Sequence, residues 1–440
     1  MLVIYIDRQT NRLGYTINLI FRQMLKTDYI ITTSRDQFIA LKGAKLSYCS
    51  ESIIDEVHIP SSDLLFETNI SALDIDYVFE DGIPKIFRSY GQGDALGFDV
   101  FAAVFYMVSR YEEYLPFIRD GHSRFCATDS IAYQKGFYDK PVVNIWVEFL
   151  KDKLLGKYPF LEFEERKFSF ENTIDVDMAY SYKGKDIYRT AGGFLRDMKN
   201  GDFHLCYERI KVLCGIKKDP YDCFDYIVST ICSNKLRSVF FFLLGMRSEY
   251  DKNISPYNYS FQMLIKNISD IASVGIHPSY YSMENPQEMT SQIKHLSSVI
   301  HKSVTSSRFH FLRFNLPSSY RDLVTNGITD DYSMGYSDEI GFRAGICVPY
   351  NFYDLEKDCE TKLRIHPFMF MDVVLKNKMQ LSPEDAWIKI REMIDRVREV
   401  KGEFTGIWHN ESLSSTGQWQ GWREVYGQEI KYIKDIMNKK

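Results

Sequence analysis

Over the first 40 residues the spacing of apolar positions changes twice. A continuous apolar run at 2–6 predicts a buried strand. Leu13, Ile17, Ile20, Phe21 and Met24, three or four residues apart, predict a helix, and 29–33 predicts a second strand. The connections suit a β-α-β unit. No Gly-x-Gly-x-x-Gly follows the first strand, so a dinucleotide site is not supported. A short helix over 34–44, with Asp36 near its start, leads to short strands and turns over 45–88. Residues 98–115 predict a long helix with Phe101, Val104, Phe105, Val108, Tyr111 and Leu115 on one face. Its end carries Arg110, Glu112 and Glu113, expected in solvent. Another helix is predicted over 142–155.

Between 158 and 167 the apolar pattern is interrupted by Pro159 and a charged run. The break divides a smaller α/β domain, 1–165, from a larger one, 166–440, and each is expected to have its own core. In the second part, strands are predicted at 168–176, 238–244, 309–315 and 402–409, with a further strand ending at His277. Helices at 199–213, 221–234, 259–273 and 287–305 alternate with them. Ser382 as cap, Pro383 in the first helical position and the stripe Ala386, Ile390, Met393 and Val397 mark one more helix. The fold class is α/β: a distorted β/α barrel preceded by a smaller α/β domain.

Composition narrows the function classes. At 440 residues, 45% apolar and 26% charged, the chain has material for two or three globular domains. The net charge is −5 and no basic run occurs, which argues against nucleic acid as a partner. The apolar start has no basic region before it and stops at Asp7, unlike a signal peptide. The longest apolar run, 239–246, is too short to span a bilayer. Eight cysteines lie without a Cys-x-x-Cys pair, as expected of reduced thiols in a cytoplasmic protein. Aromatics make up 15%, most of them expected in cores.

The candidate chemistry lies at strand ends. Thr173-Ile174-Asp175-Val176-Asp177 ends a β-branched strand in two carboxylates. Residues two apart on a strand point to one side, so Asp175 and Asp177 can share a site. His277, Arg313 and His409 stand at the ends of three further predicted strands. Each alone has a structural explanation, as a packed histidine or an ordinary salt bridge. Four strand ends of one alternating β/α domain, however, converge on one mouth.

In this order the segments resemble the polysaccharide deacetylase (NodB-homology, carbohydrate esterase family four) domain over roughly residues 168–413. Thr173 to Asp177 is similar to that family's T-F-D-D motif, with Val176 inserted between the acids. Val239-Phe240-Phe241-Phe242-Leu243-Leu244-Gly245 is similar to its T-F-F-V-x-G strand. His277-Pro278-Ser279-Tyr280-Tyr281 stands where the family has H-[ST]-x-x-H, and the stretch from Arg313 to Tyr320 where it has R-x-P-Y. Ile407-Trp408-His409-Asn410 is similar to its last motif. The whole chain resembles a narrower, divergent bacterial group with an uncharacterised N-terminal α/β domain. The stretches 109–115 and 341–345 belong to that group.

The resemblance implies a hydrolase that removes an acetyl group from an N- or O-acetylated carbohydrate. A divalent metal, zinc, would sit on Asp177 and His277. Asp175 would be the general base, oriented by Arg313, and His409 the general acid. Tyr320, Asp331 and Trp408 would help to hold the sugar. Tyr281 replaces the family's second histidine, so one usual metal ligand is missing. Either His310 or His366 reaches the third place, or metal binds weakly, or it does not bind. Two rivals therefore stand beside the deacetylase: an inactive carbohydrate- or partner-binding protein, and an amidohydrolase of a small metabolite.

Overall fold

The computed structural model describes residues 1–91 and 93–438. Strands β1 (Leu2–Ile6), β2 (Tyr29–Thr32), β3 (Ala44–Cys49) and β4 (Val57–Pro60) form a parallel four-stranded sheet in the order β2-β1-β3-β4. A small antiparallel hairpin, β5 (Tyr77–Glu80) and β6 (Ile83–Ile86), follows.

The larger sheet comprises β7 (Ser169–Val176), β8 (Ser238–Leu243), β9 (Ser273–His277), β10 (Ser306–Ser307), β11 (Asp330–Asp331), β12 (Tyr350–Asp354), β13 (Cys359–Ile365), β14 (Phe370–Met371) and β15 (Glu403–His409). Its order is β12-β13-β11-β10-β9-β8-β7-β15-β14, parallel except that β12 runs against β13. The fully buried run Ser238–Leu243 is what a strand covered on both faces requires. The sheet is rolled. Flat, β7 and β10 would lie about 14 Å apart, three strand spacings, beyond the reach of a side chain. Instead Arg308, just after β10, donates to Thr173 Oγ1 on β7 at 2.9 Å. The mixed α/β architecture and the rolled parallel sheet agree with the expected distorted barrel.

Three expectations are corrected. The helix expected over 98–115 stops at Val108, because Arg110 adopts a left-handed conformation (φ 54°). Arg110, Glu112 and Glu113 are buried rather than solvated. Arg110 Nε donates to Glu113 at 2.7 Å, Arg343 Nη2 donates to Glu113 at 2.6 Å, and Arg110 also bonds the Arg343 carbonyl. The stretches 109–115 and 341–345 thus meet in one buried ion network.

The expected separate core before residue 160 is not found either. One continuous cluster of buried side chains runs from Leu2 to Ile433. Tyr15, near the N-terminus, lies 4.9 Å from the ring of Tyr353 on β12.

Third, 309–315 is not a strand. Phe311 (φ 58°) and Leu312 (φ 52°) are both left-handed, at about 1–2 kcal/mol each for residues with a Cβ, so the chain turns there. The turn is held by Phe309 N donating to Ser333 Oγ (2.9 Å) and Arg124 Nη1 donating to the Phe311 carbonyl (2.8 Å). A helix at Ile187–Lys199 and a last one at Trp422–Asn438 were not expected.

Candidate metal centre and active site

The site stands at the carboxyl ends of β7, β9 and β15 and in the turn after β10. On β7, alternation points Thr173, Asp175 and Asp177 into the roll, while Ile174 and Val176 pack in the core. Val176, inserted relative to the resembled motif, thus keeps both acids on one side.

Asp177 is the centre of the cluster. Its Oδ1 lies 3.2 Å from His277 Nε2, and its Oδ2 lies 3.3 Å from His310 Nε2. Ligand atoms about 2.1 Å from a tetrahedral ion are separated by roughly 3.4 Å, so these spacings suit one shared cation. Both rings are oriented from behind. His277 Nδ1 bonds the Arg308 carbonyl, and His310 Nδ1 lies 2.9 Å from Asp251 Oδ1. Each Nε2 is thereby directed at Asp177, the arrangement that fixes a histidine tautomer for metal binding. The three ligand atoms lie within 4.8 Å of one another. One aspartate and two imidazoles are a donor set suited to zinc or a similar divalent ion. Of the two candidates for the third place, His310 reaches it. His366 lies elsewhere, near Glu171 and Glu403. Tyr281 is exposed and takes no part.

The charges in this cluster follow from burial and its compensation. Burial alone would raise the Asp177 carboxyl; His310 and the bond from His277 outweigh it and hold it well below the ordinary range. Burial works to lower His310, but Asp177 and Asp251 push it up to about 9. The Asp177 carboxylate and the His310 ring stabilise each other's charge, and a bound cation would stabilise that carboxylate in the same sense.

Asp175 and His409 flank the cluster. Arg308 Nη1 donates to Asp175 Oδ1 at 2.7 Å, and Asp175 Oδ2 lies 3.8 Å from His277 Nε2. Arg308 is aimed by packing: it lies 4.6 Å above the Phe241 ring. Phe241 in turn fills space at Gly275, where a Cβ would come within 2.7 Å of the ring. On β15, His409 Nδ1 is 2.7 Å from Asp372 Oδ1, and Asp372 Oδ2 accepts from the His409 backbone N–H at 2.7 Å. His409 Nε2 then points into the site, 3.8 Å from Asp177 Oδ2. Burial works to lower this imidazole, and Asp372 with Asp177 raises it well above its ordinary value.

These groups line a cavity of about 310 Å³. Its wall includes His122 and Arg124, from the part of the chain before residue 160, and Lys378. Glu411 also faces it, pushed up to about 7 by burial against the opposing pull of His409.

Four expected site residues lie elsewhere. Arg313 does not touch Asp175. It pairs with Glu284 and donates to the carbonyls of Tyr280 (2.8 Å) and His122 (3.0 Å), because the turn at Phe311 and Leu312 carries it away from the acids. Tyr320 is fully buried, stacked on Phe314 at 5.3 Å. Asp331 is fully buried and accepts from Ser307 and Ser333 at 2.8 and 2.9 Å. Trp408 alternates with His409 and so points outward, its Nε1 donating to Glu429 at 2.6 Å. The sequence reading missed Arg308, Asp251, Asp372, Glu411 and the wall residues His122 and Arg124. Asp372 follows β14, a two-residue strand that the apolar pattern did not predict, so no such signal marked it.

A sequence family described as a family of unknown function (DUF7033) matches residues 2–159. No curated protein matches the chain. Among solved structures the chain is similar to Puue allantoinase, with 10% identity over 61% of this chain and 85% of that one, at a TM-score of 0.40. It is similar to a probable polysaccharide deacetylase from Pseudomonas aeruginosa PAO1, with 10% identity over 61% and 86%, at 0.40. It is also similar to a CE4 family pseudoenzyme from Bacillus anthracis, with 11% identity over 60% and 63%, at 0.29. Polysaccharide deacetylases recur among these neighbours at low identity and partial coverage, and the functional reading rests on the side chains rather than on that likeness.

Proposed function

We propose that the protein is a divalent-metal-dependent hydrolase, with zinc as the metal, that removes an acetyl group from an N- or O-acetylated carbohydrate. One observation carries the reading: Asp177, His277 and His310 form a three-ligand set beside Asp175 and His409 in one cavity. Bound there, the cation supplies Lewis acidity, polarising a carbonyl oxygen and acidifying a water. Asp175, fixed by Arg308, takes the proton of the attacking water. His409, held protonated by Asp372, gives a proton to the departing amine or alkoxide.

Residues 166–440 supply these groups as the deacetylase-like unit. Residues 1–165 act as an accessory unit whose His122 and Arg124 shape the wall where a sugar would be selected. The eight unpaired cysteines support a reducing, cytoplasmic setting. The complete ligand set favours an enzyme over an inactive binding protein.

The test is acetate release from a panel of acetylated sugars, with and without chelator, by the natural protein and Asp175→Asn. Release that needs metal and falls about 10²–10⁴-fold in the variant supports the reading. Silence across the panel from metal-loaded, folded protein defeats it.

A further inference from the structure

The helices Ile187–Lys199 and Phe203–Leu213 form a hairpin that buries an ion pair beside Cys206 and Val212 and leaves most of its large apolar side chains exposed. A helix on the surface of a soluble protein turns its apolar stripe inward and its charges out. Here Asp197 and Arg209 are buried and paired at 2.5 Å. The large apolar side chains face out instead: Ile187 is 77% exposed, Tyr188 86%, Leu195 67% and Phe203 67%. Of the 28 large hydrophobic side chains exposed among the described residues, nine fall within residues 183–218. A concentration of this kind marks a surface made to meet something.

Charge selects the occupant. Residues 183–218 hold nine Lys and Arg against four Asp and Glu, 9 − 4 = +5, within a chain of net −5. The remainder therefore carries −5 − 5 = −10. Residues 187–213 themselves hold five Lys and Arg against three Asp and Glu, 5 − 3 = +2, and the flanking lysines supply the rest, so a second copy of this face would set like net charges against each other, which is disfavoured. An apolar stripe bordered by cations matches an anionic phospholipid surface, where acyl chains take the apolar groups and headgroups the lysines and arginines. Lys211, its ammonium 4.2 Å from the Tyr207 ring, has the snorkelling arrangement used at such a boundary.

We propose that this hairpin docks the protein on anionic membrane surfaces. Among the described residues no helix is long and apolar enough to cross a membrane, and the proposed contact is made by the exposed face of the hairpin. The hairpin begins at Ile187, on the segment that leaves the carboxyl end of β7 ten residues after Asp177. Arg189 ties it to the loop after β8 through the carbonyls of Lys252 (2.7 Å) and Asn253 (2.9 Å). Docking would hold the mouth of the catalytic cavity at the membrane surface. The inference does not depend on which reaction the cavity performs.

The experiment is sedimentation of the full chain with vesicles of phosphatidylcholine alone, or of phosphatidylcholine mixed with phosphatidylglycerol. The protein should pellet with the mixed vesicles and remain largely in solution with the neutral ones. Raising salt should release it. Leu195→Glu with Phe203→Glu should weaken binding by at least about tenfold, with the melting temperature unchanged because both side chains are exposed. Equal pelleting with both lipids, or binding indifferent to the double substitution, overturns the proposal. So does an absence of vesicle binding, whether the protein is monomeric or forms a dimer that the same substitutions dissociate. The dimer would assign the face to a second copy.

Discussion

Arg308 and Asp175 form a buried pair across the rolled sheet, Nη1 to Oδ1 at 2.7 Å, and the same nitrogen donates to Thr173 Oγ1 at 2.9 Å. Arg308 also donates from Nε to the Tyr332 carbonyl at 2.9 Å, so the guanidinium is fixed on three sides. It is the positioning residue for the proposed base. Arg308→Lys keeps the charge but loses the fork geometry. Turnover should fall about 10–100-fold, the range for losing such a supporting partner, with KM nearly unchanged. Arg313→Lys, remote from the acids, should leave turnover close to that of the natural protein. Equal losses in both variants would return Arg313 to the role expected from the sequence.

The metal ligands make a sharper contrast. His310→Ala removes one of three ligands and should lower metal affinity by more than about 100-fold, beyond the cost of losing a group that only orients a ligand. Tyr281→His, which restores the resembled motif, should change nothing, since Tyr281 is exposed and His310 stands in the third place of the proposed set. Metal titration of the three proteins reads this directly. Tighter binding by Tyr281→His would show that His310 does not complete the set.

The third place of the proposed ligand set is supplied from outside the resembled motif. His310 lies 33 residues beyond His277 and reaches Asp177 because the chain turns at Phe311 and Leu312 instead of continuing as a strand. Apolar alternation over 309–315 suggests a strand and contains no glycine to announce two left-handed residues. The parallel strands, Asp175, Asp177, His277 and His409 were legible because strand ends in an alternating β/α chain share one mouth. The groups that orient them, Arg308, Asp251 and Asp372, depend on tertiary contacts that no local period encodes. Trp408 and Tyr320 were expected to hold a sugar; Trp408 alternates with His409 and donates to Glu429, and Tyr320 is buried against Phe314, contacts that no local period encodes.

The network joining 109–115 to 341–345 offers a test of stability. Arg110, Glu112, Glu113 and Arg343 are all buried. Removing one member strands a charge in low dielectric, at a typical cost of about 3–5 kcal/mol. Arg343→Met should therefore destabilise the protein by that order in urea unfolding. The double variant Arg343→Met, Glu113→Gln should recover part of the loss, because the stranded carboxylate is gone. A single variant as stable as the natural protein would mean that these charges remain hydrated, as the sequence alone suggested.

Glu429 should make stability depend on pH in a direction opposite to that of an ordinary paired carboxylate. It is buried behind Trp408, whose Nε1 donates to its Oε2 at 2.6 Å, while its Oε1 has no partner. Burial pushes the carboxyl up from 4.5 to about 8, the Trp408 bond works against this, and Asp372 adds to the rise. The folded protein thus holds this proton more tightly than the unfolded chain does. Its contribution to stability is fully present below the unfolded value near 4.5 and is lost as pH rises through about 8. The loss is at most on the order of a few kcal/mol, since a tenfold difference in proton affinity between the two states corresponds to about 1.4 kcal/mol. Glu429→Gln keeps an acceptor for Trp408 and removes the titration. Melting curves from pH 5 to pH 9 should therefore show the natural protein losing more stability than the variant, with the two nearly equal at the acid end. Curves that stay parallel over the whole range would show that Glu429 is already ionised in the folded state, with its Oε1 hydrated.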